Sequence, residues 1–397
     1  MQPVSTLTRA GALLVICVAI LGLTLAVCAP AFAWELEQQW MKPVGKGVTF
    51  YHFRLRFAQG PAHVYMLEVS PESGYTIRPV LANNRIGSLT PVENLAKQVS
   101  AVAAINGGFF DTGASRLPVG LIKIDHRTVF EQFLPRPVLG IDATGGVHFA
   151  TFELHSTLYS PEQDTELPLF GYNRNRKYGE IVAYSSEYGR ATGTNEWGRE
   201  FVLKRVSPQV AKEGEENYLG EKYLIIGENS HNSAIAGDEL IVSLHSNAIR
   251  RYGGQLKGVY LGAEMEVRTN LPEGWERYPH LLGGGPMLVE DGCYVLDYER
   301  ERFSEALSTA TARTAVGLTK NGRIALIVID SGEPDYSVGA TWQQLAIVGR
   351  DFLNVEHLMG FDGGGSSTMY VSGRVANRPK GGVPRSVANI LAVVPRN

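Results

Sequence analysis

An acid followed by three glycines and two hydroxyls, Gly360-Phe361-Asp362-Gly363-Gly364-Gly365-Ser366-Ser367-Thr368-Met369, sits near the C-terminus of this chain. Three successive glycines lose much backbone entropy on ordering. Such a stretch is expected where the chain takes a positive φ or approaches another group closely. The flanking apolar runs at 357–361 and 368–371 read as short strands. The glycines then form a loop at a sheet end, with the Asp362 carboxylate at its mouth.

Strand-like runs also cover 48–57, 63–69 and 75–80, separated by Gly and Pro breaks, and predict antiparallel strands. Residues 89–102 predict a helix, capped by Ser88 or Thr90, with Pro91 in its first turn and Val92, Leu95, Ala96 and Val99 at helical spacing. Further strands are expected at 102–105, 120–124, 138–141, 314–318 and 323–330. A second helix is expected at 342–353, where Thr341 and Gln344 form a capping box ahead of the apolar face Leu345, Val348, Phe352 and Leu353. Together these elements predict an α+β fold, a mixed or antiparallel central sheet with flanking helices. Between 155 and 275 the composition turns polar, with irregular pieces such as 212–217. This predicts an elaborated segment within a catalytic domain at 101–397, preceded by a strand-rich region at 34–100.

With 397 residues, 44% hydrophobic and 19% charged, the chain can bury a sizeable core. A net charge of −3 gives no electrostatic case for nucleic acid, so an anionic substrate has to be met by locally placed arginines. Residues 1–33 read as a signal peptide: Arg9 is the one basic side chain, an apolar stretch follows from about residue 13 to 29, and Ala31-Phe32-Ala33 fits cleavage after Ala33. The protein is therefore expected to be secreted or periplasmic. Contact with a membrane would come through this segment if it stayed uncleaved. After cleavage Cys293 is the remaining cysteine, which leaves no intramolecular disulfide; placed where a hairpin turn enters a strand, it is expected to be a buried structural thiol.

Four loops carry unusual chemistry. They are Asn106-Gly107-Gly108-Phe109-Phe110-Asp111, Gly283-Gly284-Gly285-Pro286, the segment 312–318 around Arg313, and 362–367 with its continuation Asn377-Arg378-Pro379 and 383–389, which contains Arg385. In this order they resemble the phosphodiester glycosidase family, most specifically in D-G-G-G-S-S-T-M and N-R-P, over about residue 48 to the C-terminus. The resemblance implies a hydrolase that cleaves the sugar C1–O bond of glycosyl-1-phosphodiesters, of the N-acetylglucosamine-1-phosphodiester kind. Bacterial members are associated with exopolysaccharide biosynthesis, so the implied partner is a glycosyl phosphodiester or a phosphorylated polysaccharide of the cell envelope.

The residues suit that chemistry on their own terms. A phosphomonoester is already a fair leaving group, so the reaction chiefly needs charge stabilisation. An oxocarbenium-like transition state wants a carboxylate near C1, and Asp362 fits. A second carboxylate would be Asp111 or Asp330, although both also make good turn residues. The departing phosphate wants N–H donors and guanidinium groups. The backbone of Gly363, Gly364 and Gly365 with the Ser366 and Ser367 hydroxyls reads as an anion-binding nest. Arg313 and Arg385 are the leading phosphate clamps, and Arg378 beside Asn377 is a weaker third. Asn106, with Gly107 and Gly108, either binds sugar hydroxyls or orients Asp362 through its amide. Trp197 and Trp342 either stack on sugars or fill core.

Other classes lack their signals. No G-x-S-x-G elbow surrounds Ser366, no G-x-x-x-x-G-K-[ST] accompanies the glycines, and the nine histidines show no H-E-x-x-H spacing. No cofactor is predicted, and a structural calcium held by backbone and Asp oxygens stays open. Two alternatives remain beside the glycosidase: a non-catalytic exopolysaccharide or cell-wall glycan-binding protein on the same scaffold, and a metal-dependent phosphodiesterase.

Overall fold

The computed structural model describes residues 34–131, 134–206, 221–304 and 309–396. The expected signal segment 1–33 and the stretch 212–217 lie outside these residues. Among the described residues, no helix is long and apolar enough to cross a membrane.

β-Branched and aromatic residues with a period of two dominate the sequence, and they build antiparallel sheets. Val48–Phe57 pairs with Trp34–Gly45 on one side and Gly60–Val69 on the other. The sheet continues through Ile324–Ile329, Arg313–Thr319, Val355–Phe361 and Met287–Glu290 to Cys293–Tyr294, eight strands in all. Ile324–Ile329 is buried on both faces. Ile324, Leu326 and Val328 enter one core while Ala325, Ile327 and Ile329 enter another, as the alternation of side chains along a strand requires. The first core is closed by two five-stranded sheets, which contribute Ile77, Ile105 and Leu391 from one and Ile122, Leu139 and Leu282 from the other.

The α+β expectation of a helix-flanked sheet does not hold. Of the described residues 48% are strand and 12% helical, and the α-helices Val92–Gln98, Ser246–Arg251 and Trp342–Ile347 have seven, six and six residues. The first begins late because Thr90–Pro91 is held extended by pairing with Ser386–Val387. Neither Ser88 nor Thr90 caps it, and Pro91 occupies the cap position. The helix expected at 342–353 starts on the Thr341–Gln344 capping box and runs on through a π-bonded turn, Val348–Phe352. Cys293 also departs from expectation: its hairpin with Glu290 forms, but the strand is the last of its sheet, so the thiol is exposed.

Residues 156–269 carry a seven-stranded sheet with its own core around Leu158, Phe201, Ile225 and Val242. Hydrogen bonds tie it to the rest. Asn173 Nδ2 donates to the Val129 carbonyl at 2.7 Å, the Ile86 N–H to the Glu187 carbonyl at 2.8 Å, and the Thr128 N–H to Glu221 Oε1 at 3.0 Å.

Candidate active site

Sheet register brings the first two candidates together. Thr314 pairs with Phe361, so Arg313 and Asp362 stand at the same end of neighbouring strands. From there the glycine loop crosses from the eight-stranded sheet into Met369–Val371 of a five-stranded one. Gly364 takes φ +60°, a conformation that favours glycine, and its N–H donates to the Ala312 carbonyl at 2.8 Å. A 3-10 turn follows, in which Ser366 N–H donates to the Gly363 carbonyl at 3.2 Å and Ser367 N–H to that of Gly364 at 3.4 Å. Of the three glycine amides expected in the nest, that of Gly364 therefore donates within the protein and that of Gly363 is drawn to the Asp362 carboxyl, which leaves that of Gly365 as the candidate donor to an anion.

Asn106 is the clasp of this loop. It ends the strand Ala103–Asn106 and is fully buried. Its Nδ2 donates to the Asp362 carbonyl at 2.7 Å, and its Oδ1 accepts from Thr314 Oγ1 at 2.8 Å and the Thr368 N–H at 3.1 Å. The Thr314 hydroxyl is also 3.1 Å from Ser367 Oγ; having one proton, it donates to the amide and accepts from the serine. Of the two roles open to Asn106, this geometry has the orienting one. Gly107 completes the clasp, accepting from the Asp362 N–H at 3.2 Å. Both Gly107 and Gly108 donate to Asn389, through its carbonyl at 3.0 Å and its Oδ1 at 2.9 Å.

The Asp362 carboxyl is half-buried. Desolvation pushes its pKa up to about 6 against the opposing pull of the Ser366 hydroxyl, the Arg385 guanidinium and the Gly363 N–H. Ser366 Oγ is buried beside it without a well-formed hydrogen bond. Arg385 is exposed and lies against Gly365, where an added Cβ would come within 2.6 Å of Nη2. Among the described residues, no hydrogen bond or ion pair engages its guanidinium. Arg313 differs: it is 3% exposed, lies 4.0 Å from the Trp342 ring centroid, and donates from Nε to the Ala340 carbonyl at 2.9 Å. Burial lowers its pKa to about 10. Trp342, under that guanidinium, is core, whereas Trp197 is exposed.

Asp330 forms a layer behind the loop. It follows the strand Ile324–Ile329 and is 1% exposed. Its Oδ1 accepts from Asn377 Nδ2 at 2.7 Å, and its Oδ2 from the Arg378 N–H at 2.9 Å and the Tyr336 hydroxyl at 3.1 Å. Asn377 Nδ2 also reaches the Ser367 carbonyl at 3.1 Å, and its Oδ1 accepts from the Met369 N–H at 2.7 Å. Desolvation raises the Asp330 pKa to about 6 despite these donors. No motif marks Tyr336, or Tyr65, whose hydroxyl lies 2.7 Å from that of Tyr336. Arg378 points away, toward Glu333 at 2.9 Å. Asp111 is exposed and caps its own turn, accepting from the Gly113 N–H at 2.9 Å and from the Ser115 hydroxyl. Among the described residues, no three His, Cys, Asp or Glu side chains converge as a metal-holding group.

A carboxylate, a guanidinium that no hydrogen bond or ion pair among the described residues engages, and a glycine turn stand together at the junction of antiparallel sheets, an arrangement suited to a sugar linked to an anion. Residues 240–394 match the family described as phosphodiester glycosidase. That segment contains Arg313, Asp330, Asp362 and Arg385, while Asn106 lies before it. The chain is also similar to the bovine (Bos taurus) N-acetylglucosamine-1-phosphodiester alpha-N-acetylglucosaminidase, with 26% identity over 162 residues, covering 36% of this chain and 29% of that enzyme. It thus spans less than a third of that relative. Two solved structures share the fold. A Synechocystis protein has TM-score 0.69 and 21% identity, with 87% of this chain and 62% of that one covered. A Burkholderia pseudomallei K96243 protein has TM-score 0.68 and 18% identity, with 95% and 99% covered.

Proposed function

We propose that this protein is a glycosidase that hydrolyses the sugar C1–O bond of glycosyl-1-phosphodiesters outside the cytoplasm, reached through the signal segment at 1–33. Asp362 stands at the anomeric carbon, ionised at neutral pH, and stabilises or captures the oxocarbenium-like centre as the C1–O bond breaks. The bond's electron pair leaves with the phosphate oxygen, giving a phosphomonoester, while water supplies the hydroxyl at C1. Arg385 and the Gly365 amide meet the charge that develops on the departing phosphate.

The observation that carries this reading is a desolvated carboxylate within electrostatic reach of a guanidinium that, among the described residues, no hydrogen bond or ion pair engages, at one glycine turn. Asp111 and Asp330 hold loops, so Asp362 is the carboxylate this mechanism uses. The test is turnover of UDP-N-acetylglucosamine in 18O-labelled water. Label is expected in the sugar, with kcat/KM lowered about 10²–10³-fold by Arg385→Ala. Label in the phosphate would identify a phosphodiesterase, and glycan binding without turnover would identify the non-catalytic alternative.

A further inference from the structure

A groove of about 1030 Å³ opens where the seven-stranded sheet meets the rest of the fold. Five cations line it: Arg85, Arg116, Arg174, Lys177 and Arg190. Arg174 is paired with Glu180 at 2.7 Å, but among the described residues no ion pair engages the other four side chains. No Asp or Glu lines the groove. In a chain of net charge −3 this is a local concentration of unneutralised positive charge, which raises the occupancy of anions there.

We propose that this groove binds a polyanionic glycan, a chain whose sugars carry carboxylates or phosphates, and delivers it to Asp362. The volume holds several sugar residues, beyond the needs of a small phosphodiester. Its neutral lining offers hydroxyl and amide partners, Ser88 and Asn175 among them. Its aromatic side chain is Tyr188, whose ring meets Tyr184 at a T-shaped angle and whose hydroxyl donates to Asn175 at 2.8 Å; a lone ring makes no platform for successive stacked bases. The groove and the site share a loop. The base of that loop, Asn106 and Gly107, grips Asp362, and its tip, Ser115 to Leu117, lines the groove.

Delivery to Asp362 rests on the glycosidase reading, but binding does not. Calorimetry of the purified protein with hexagalacturonate and with a phosphorylated mannan oligosaccharide tests the groove, with maltohexaose and oligothymidylate as comparisons. Binding of at least one anionic glycan is expected, strongest at low salt, with none of maltohexaose. The triple substitution Arg85→Gln, Arg116→Gln and Arg190→Gln should weaken it at least about tenfold while UDP-N-acetylglucosamine turnover is unchanged. The salt dependence of the unsubstituted protein gives a readout that needs no variant. Absence of binding to both anionic glycans, equal binding by the triple variant, or equal or tighter binding of oligothymidylate overturns the groove. Turnover of the small substrate without polymer binding removes the groove alone. Polymer binding without any turnover upholds the groove and removes the glycosidase.

Discussion

The side-chain amide of Asn106 holds the backbone carbonyl of Asp362 at 2.7 Å, so the proposed catalytic carboxylate is aimed by a residue 256 positions away. Three segments meet on that one amide: Asp362, Thr314 and Thr368. Asn106→Ala leaves a buried carbonyl and a buried N–H unpaired, and should cost about 2–4 kcal/mol in denaturant unfolding. Asn106→Asp is the sharper variant. It keeps the acceptor for Thr368 but sets a carboxylate oxygen against the Asp362 carbonyl, so kcat/KM should fall even at temperatures where the variant is fully folded. An Asn106→Asp enzyme with unchanged kcat/KM would show that Asp362 is positioned by other means.

The proposed role of Asp362 makes the reaction pH-dependent. Its carboxyl must be ionised, so kcat/KM should rise through a limb near pH 6, where desolvation places its pKa. Stability should run the opposite way. The folded-state value lies above the ordinary 3.8, so the folded state holds this proton more tightly. The resulting stabilisation is fully present below about pH 3.8 and is lost as pH rises through about 6. Asp362→Asn carries no such loss: its Tm should match the parent near pH 4 and exceed it above about pH 7, with activity reduced about 10²–10³-fold. Asp330 titrates in the same window, and the Asn variant isolates Asp362. A lower Tm for the variant above pH 7 would mean that its charge is stabilising where it sits.

Asp330 and Asn377 should act as one unit. The carboxylate receives three donors and the amide ties it to the exit of the glycine loop. Asp330→Ala and Asn377→Ala should each destabilise by about 2–3 kcal/mol, and the double variant by clearly less than their sum. Additive losses would show that the two residues support different parts of the fold.

Much of this architecture was legible wherever one local pattern decides it. Val48–Phe57 is a strand by its alternation alone, and the Thr341 capping box marks its helix start to the residue. Pairings between distant segments were not legible. Thr90 and Pro91 carry helix-entry chemistry, yet Val387 and Ser386 hold them extended, and the short helices that result leave a β-dominated fold. The site divides the same way. The glycine run advertises the loop around Asp362, but whether an arginine is a clamp or a strut depends on what covers it. Arg385 is uncovered, whereas Arg313 is sealed against Trp342, and both look alike in sequence. Strand register brings Tyr65, paired with Val328, to the end of the strand that Asp330 follows, and the turn before Ser337 folds Tyr336 back onto the same acid.

Gly365 separates the chemistry of the site from its stability. Its φ is not in the left-handed region, so alanine fits the backbone there, but the added methyl would sit 2.6 Å from Arg385 Nη2. The obstacle is the far end of a flexible, exposed side chain, which swings aside at little cost. Gly365→Ala should therefore leave Tm within about 1–2 °C of the parent, as for a change under about 0.5 kcal/mol, while displacing the guanidinium from the departing phosphate and lowering kcat/KM by roughly tenfold or more. The loss should be absent in an Arg385→Ala background, where there is no guanidinium left to displace. Equal losses from Gly365→Ala in both backgrounds would mean that the glycine serves the sugar or the amide donors directly, and that Arg385 is not the group it makes room for.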